Sequence, residues 1–159
     1  CAFVELDYVY FNRGPEGQLH RIQASKHTTP RPADDPAQRI FSHTTYQLSL
    51  YTSPDQEGEA LAGIPNCRSV RWTPVFTDII PKTGGKAVGF GAVLDHLGLD
   101  FCQCAACGDG GNDIDMLQAA GIGVAMGGSA KEVTQSADFV TRALEEDGVE
   151  YALEKLGSL

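Results

Sequence analysis

The densest chemistry-bearing run in the chain is Gly108-Asp109-Gly110-Gly111-Asn112-Asp113. It follows an apolar stretch that reads as a strand and opens a helical pattern. Glycines at such a junction permit tight turns and close backbone approach to a ligand. A helix start also presents N–H groups that favour anions. Two carboxylates placed there repel each other and an anionic ligand alike. A hard divalent cation resolves that conflict, and Mg²⁺ is the natural choice for oxygen ligands. Asp109 and Asp113 are therefore candidate metal residues. A plain N-cap with a glycine turn accounts for one of these aspartates but poorly for the whole run.

A second run, Thr83-Gly84-Gly85-Lys86, follows an apolar strand ending at Ile80. Lysine is normally favoured at helix C-termini. Lys86 at a helix start suggests an anion to neutralise, whereas Lys82 reads as an ordinary surface residue. Alone, Lys86 could be a solvated side chain too. With the acidic loop at the next strand end, the anion-binding reading of Lys86 becomes much more persuasive, since neighbouring strand ends can converge on one ligand. Two familiar phosphate motifs do not fit. A P-loop needs glycine where Ile80 stands and Ser or Thr where Ala87 stands. A dinucleotide fingerprint starting at Gly89 would need a third glycine where Leu94 stands.

The elements that must position these residues fall into two groups. Residues 3–12 are aromatic and β-branched and read as a strand. A turn at Arg13–Gly17 and a return strand at Gln18–Ala24 would complete a hairpin, and residues 25–38 read as a loop. Tyr46–Thr52 alternates like a half-buried strand. Ser53-Pro54 opens a short helix to Ala62, and Cys67–Trp72 is another strand. This is the pattern of a small α+β lobe over residues 1–74. From Val75 the pattern alternates: a strand to Ile80, a helix over Gly85–Leu97, a strand over Cys102–Cys107 and a helix over Ile114–Ala120. Strands at Gly121–Ala125 and Phe139–Thr141 and helices at Ala130–Ser136 and Val149–Leu156 complete it. Val88, Ala92 and Leu99, or Val93 and Leu97, are the candidates to face a sheet. Residues 75–159 thus imply a parallel sheet with helices on its faces. Such sheets bind ligands beyond the C-terminal ends of their strands.

Bulk properties narrow the function. The 159-residue chain has a net charge of -9. That argues against nucleic acid, which selects basic surfaces, but leaves room for a small phosphorylated substrate. No apolar run approaches a membrane span and no signal peptide is visible. Five cysteines with clustered spacing do not resemble a secreted disulfide framework, so a cytoplasmic location is expected. Cys102, Cys104 and Cys107 read as small apolar strand residues, since a zinc site normally needs a second ligand pair. His20, His27, His43 and His96 show no ligand spacing. Arg39 and Arg71 read as surface or salt-bridge residues, Asp7 as a strand residue and Trp72 as core.

Beyond these readings, the run 108–113, with Asp115-Met116-Leu117, Ala120–Gly127, Ala137–Thr141 and Glu146–Val149, resembles haloacid-dehalogenase-type (HAD) phosphatases of the Cof type. These are the type IIB members, which carry an α/β cap. Asp78-Ile79 and Lys86 match the family's third motif and residues 108–113 its fourth. The likeness covers the last half of the chain densely, and residues 46–72 more weakly resemble the closing part of the cap. The implied fold is α/β: part of a Rossmann-like HAD core plus part of a cap. The resemblance implies that Lys86 holds the phosphate and the nucleophile, Asp109 ligates Mg²⁺, Asp113 supports the metal site and Asn112 contacts phosphoryl oxygens. It also implies hydrolysis of a sugar phosphate or similar monoester through a phosphoaspartate. The family's nucleophile lies in an N-terminal D-x-D-G-T motif. Here Asp7 is followed by Val9 in place of the second Asp, and Asp34-Asp35 follows no strand. The nucleophile segment is therefore expected to be missing, and this chain alone to be inactive. The alternative is a non-catalytic lobe that binds phosphate or a protein partner.

Overall fold

A computed structural model of the chain describes residues 1–13 and 31–157. The expected return strand at 18–24 lies outside the described residues. Two compact units divide the chain, Cys1–Lys82 and Thr83–Leu159. No helix is long and apolar enough to cross a membrane among the described residues.

The first unit runs β1 (Ala2–Val4), β2 (Val9–Phe11), β3 (Arg31–Pro32), α1 (Pro36–Ser42), β4 (Gln47–Leu50), α2 (Glu57–Ala62), β5 (Cys67–Val70) and β6 (Thr77–Pro81). Its sheet has the order β3-β2-β1-β4-β6-β5. All of its pairings are antiparallel except β2 with β3. The aromatic segment read as one strand is a hairpin. Glu5 N–H donates to the Tyr8 carbonyl at 2.8 Å, and Leu6 and Asp7 form the exposed turn. Asp7 is thus a turn residue, not a strand residue. The loop expected over 25–38 ends in a helix. Asp35 caps α1 by accepting from Gln38 N–H at 3.0 Å, with Pro36 in its first turn. Ser53-Pro54 carries the same sequence signal. Arg39 pairs with the buried Glu5 through two hydrogen bonds, and Arg71 pairs with Glu57 at 2.7 Å. Trp72 is not core. It is 43% exposed and donates its indole N–H to Asp78 at 2.9 Å.

β6 was expected to open the parallel sheet, and it does not. It lies between β4 and β5 with antiparallel registers such as Leu48 opposite Ile79 and Ser69 opposite Ile79. It therefore belongs to the antiparallel sheet and not to the parallel one. A short apolar run has the same composition in either setting, and only its partners decide.

The second unit runs α3 (Lys86–Leu97), β7 (Ala105–Gly108), α4 (Ile114–Ala119), β8 (Ile122–Ala125), α5 (Lys131–Gln135), β9 (Phe139–Val140) and α6 (Gly148–Lys155). Its sheet is parallel, in the order β7-β8-β9. Ala106, Leu117, Ala125 and Val133 form its core, with Phe90, Ile114 and Met116 packed around them. The expected inward face of α3 is rotated. Val88, Val93 and Leu97 are exposed, and Ala92 is too, while Leu94 is buried and Phe90 reaches the core. A Cβ on Gly91 would sit 3.1 Å from the Phe101 ring. The inward stripe is therefore Ala87, Phe90, Gly91 and Leu94, a helical i, i+3, i+4, i+7 pattern in which a glycine stands in for an apolar side chain. The strand expected from Cys102 starts at Ala105, because Phe101–Gln103 forms a 3-10 turn. Cys102 is exposed and Cys104 and Cys107 are half-buried.

β8 is backed closely by α4. A Cβ on Gly123 would lie 2.4 Å from the Leu117 carbonyl oxygen, a backbone atom that cannot swing aside. Gly123→Ala should therefore destabilise the second unit by about 1–3 kcal/mol, the usual cost of overpacking. Urea unfolding of the variant measures it, and an unchanged midpoint would show that the two elements can separate freely.

Candidate active site

The site is built around one carboxylate. Asp113 is 3% exposed and stands where β7 passes through a short turn into α4. Its Oδ2 accepts the backbone N–H groups of Asp109 and Gly110, each at 3.0 Å. Its Oδ1 accepts a short hydrogen bond from the Lys86 ammonium. Burial alone would push the Asp113 carboxyl up. The bonds from Lys86 and from the Gly110 and Asp109 amides outweigh burial and hold it below its usual value. Gly108 makes this possible, since a Cβ there would fall 2.5 Å from the Asp113 Cβ. The glycine-rich loop is thus folded onto its own last residue. The amides of Asp109 and Gly110, expected to face an anion, serve Asp113 instead.

Lys86 is the first residue of α3 and follows Gly85, whose φ of 132° is a conformation L-residues rarely adopt. Its side chain remains 49% exposed. Lys86, Asp109 and Asp113 line one cavity of about 600 Å³. Asp109 is exposed there, while both Asp113 oxygens are engaged. Asn112 is half-buried and is not part of the cavity wall. Its Oδ1 lies 2.6 Å from where a Gly110 Cβ would be. Sequence reasoning therefore brought together three of its four residues, and the fourth packs against the loop itself.

Other residues of the wall were not foreseen. Cys107 lines it, but burial pushes its thiol up, away from the reactive thiolate. Met116, Met126, Leu144 and Val149 give it an apolar side, and Ser129 and Glu145 are further polar members. The register explains Met126 and Ser129. Gly108 pairs with Ala125, and Met126 N–H donates to the Gly108 carbonyl at 2.9 Å, so the loop after β8 adjoins the loop after β7. The available signal was a third glycine pair, Gly127-Gly128, one residue after a buried strand.

Comparison with known proteins identifies the family. A family model described as haloacid dehalogenase-like hydrolase matches residues 1–153. The chain belongs to that family. Relatives include the phosphatase-named protein YkrA of Bacillus subtilis (strain 168), 42% identical over 114 residues, which cover 72% of this chain and 44% of YkrA. Among solved structures, the HAD subclass IIB sugar phosphatase BT4131 is 31% identical. It superposes with a TM-score of 0.90 over 99% of this chain and 60% of its own. The HAD phosphatase BT1666 of Bacteroides thetaiotaomicron is 33% identical with a TM-score of 0.86, over 99% of this chain and 59% of that one. The chain thus spans about half the length of these HAD proteins.

Asp113→Asn tests the central brace. It removes the charge that three donors converge on, and stability at neutral pH should fall by about 1.5–3 kcal/mol. Most of that comes from the amide bonds, because the half-exposed Lys86 is screened by water. A lowered folded pKa means the stabilisation is complete above the unfolded value near pH ~4 and is lost as pH falls through the lower folded value. Urea midpoints across that range check both. Parallel pH profiles for the two proteins would remove the brace from the account.

Proposed function

We propose that this chain supplies the cation- and phosphate-binding part of a magnesium-dependent phosphatase acting on a sugar phosphate or a similar small phosphomonoester. The observation that carries the reading is the single cavity shared by the Lys86 ammonium and the Asp109 and Asp113 carboxylates at the C-terminal ends of parallel strands. Membership of the HAD family and the likeness to a sugar phosphatase structure support it.

Among the described residues, no three His, Cys, Asp or Glu side chains converge as a cage. That arrangement suits a cation that keeps several waters and takes one or two carboxylates, as Mg²⁺ does. Asp109, exposed on the wall, would hold it directly. Asp113, already engaged, would fix the loop that carries Asp109. Bound there, Mg²⁺ would neutralise charge on phosphoryl oxygens. Lys86 has ammonium hydrogens beyond the one given to Asp113, and these would bind the same oxygens. Phosphoryl transfer depends mainly on such positioning and charge neutralisation. In this reading the Asn112 side chain keeps the loop in shape and would reach the phosphoryl group only if it turns outward.

The nucleophile in this reading is an aspartate from a D-x-D segment not contained in these residues. Its carboxylate oxygen would form a bond to phosphorus as the bond to the leaving oxygen breaks, with the second Asp giving that oxygen a proton. Water would then attack the phosphoaspartate and release phosphate. β7 is the terminal strand of its sheet among the described residues, so its outer edge could accept such a strand. We place residues 1–82 with the cap and residues 83–159 with the core.

The test is hydrolysis of p-nitrophenyl phosphate by the intact protein that carries the D-x-D segment. Activity should require Mg²⁺, and Asp109→Asn should lower kcat/KM by about 100-fold or more, the scale for losing one preorganised charge-stabilising group. This chain alone should release no phosphate. An intact protein that binds phosphate without hydrolysing it would make this a binding lobe instead.

A further inference from the structure

Among the described residues, Ser129 carries the one buried polar side-chain atom of the cavity wall that lacks a partner. Its Oγ is buried and has no hydrogen-bond partner among the described residues. Yet Ser129 lines the same wall as Lys86 and Asp109. Buried hydroxyls are nearly always paired, so an orphan at a cavity wall calls for a missing partner.

The backbone holds this residue firmly. Ser129 N–H donates to the Met126 carbonyl at 3.2 Å, and Gly128 has φ 86°. These are the marks of a type II turn over residues 126–129, which requires positive φ at its third residue. Gly127 locks the turn from the other side. Its N–H donates to the Arg142 carbonyl at 3.0 Å, and a Cβ there would meet Ala143 N at 2.6 Å. Rotation about χ1 moves the Ser129 hydroxyl between staggered positions.

We propose that Ser129 is a ligand-binding residue of this cavity, donating its hydroxyl proton to an oxygen of the bound phosphate group. A hydroxyl suits this place chemically. It adds a donor without adding charge, and the backbone around it is already ordered, so binding orders little else. The inference rests on the phosphate-binding reading and adds a residue from a second strand-end loop.

The experiment uses the full chain in Mg²⁺ buffer, titrated with inorganic phosphate and followed by NMR, together with thermal unfolding without phosphate. Ser129→Ala should weaken phosphate binding about tenfold, the lower range for a hydrogen bond to a charged group. Ser129→Thr, which keeps the hydroxyl, should recover most of the affinity. Without phosphate, the thermal midpoint of Ser129→Ala should be unchanged or higher, because no protein partner is lost. Equal phosphate affinity in the alanine variant overturns the role of Ser129 while leaving the site reading intact. A lowered midpoint without phosphate also overturns it, by showing that the hydroxyl bonds within the protein. No phosphate binding by the unmodified chain overturns both.

Discussion

A buried carboxylate with three donors around it organises the second unit. Asp113 takes two backbone amides from its own loop and an ammonium from the helix that begins at Lys86. An unpaired charge this deep would be prohibitive. The loop therefore has little choice but to curl onto it, and Lys86 is drawn to the same point. The form of the acidic loop follows from that closure. Asp109 is turned outward because its amide is turned inward, and Gly108 is required because the carboxylate presses on its backbone. Of the two aspartates that sequence spacing suggested for a metal, Asp113 is engaged within the loop and Asp109 is exposed at the cavity.

Much of this was legible in the residues. The alternation of strands and helices after residue 83, the helix at Lys86 and the acidic loop at the end of β7 stand close to their expected limits. The signals there are local: glycine pairs, buried strands of small residues and capping positions. What was not legible depends on partners distant in sequence. β6 has the composition of a parallel strand, but its hydrogen bonds go to β4 and β5 in antiparallel register. The inward face of α3 is set by Phe90 and Leu94, with Gly91 making room for Phe101. A periodicity count that weights only large apolar side chains selects Val88, Val93 and Leu97 instead.

The same lesson holds inside the site. Lys86, Asp109 and Asp113 carry charge, and charge at a strand end is conspicuous. Ser129, Met126 and Leu144 are ordinary residues that acquire a role through the parallel register of β7 and β8 and through the chain that returns after β9. Asn112, which the resemblance assigned to phosphoryl oxygens, lies against Gly110. Sequence order within a loop does not say which side chains share a direction.

The cavity wall also carries an electrostatic imbalance. One ammonium, that of Lys86, faces three carboxylates, those of Asp109, Asp113 and Glu145. A doubly charged anion entering alone would meet net repulsion. One entering with a divalent ion would not. Thermodynamic reciprocity then makes the two occupancies a single coupled quantity: whatever factor the cation adds to anion affinity, the anion returns to the cation. A pocket of this composition attracts the cation, disfavours the anion by itself and accommodates the anion beside the cation.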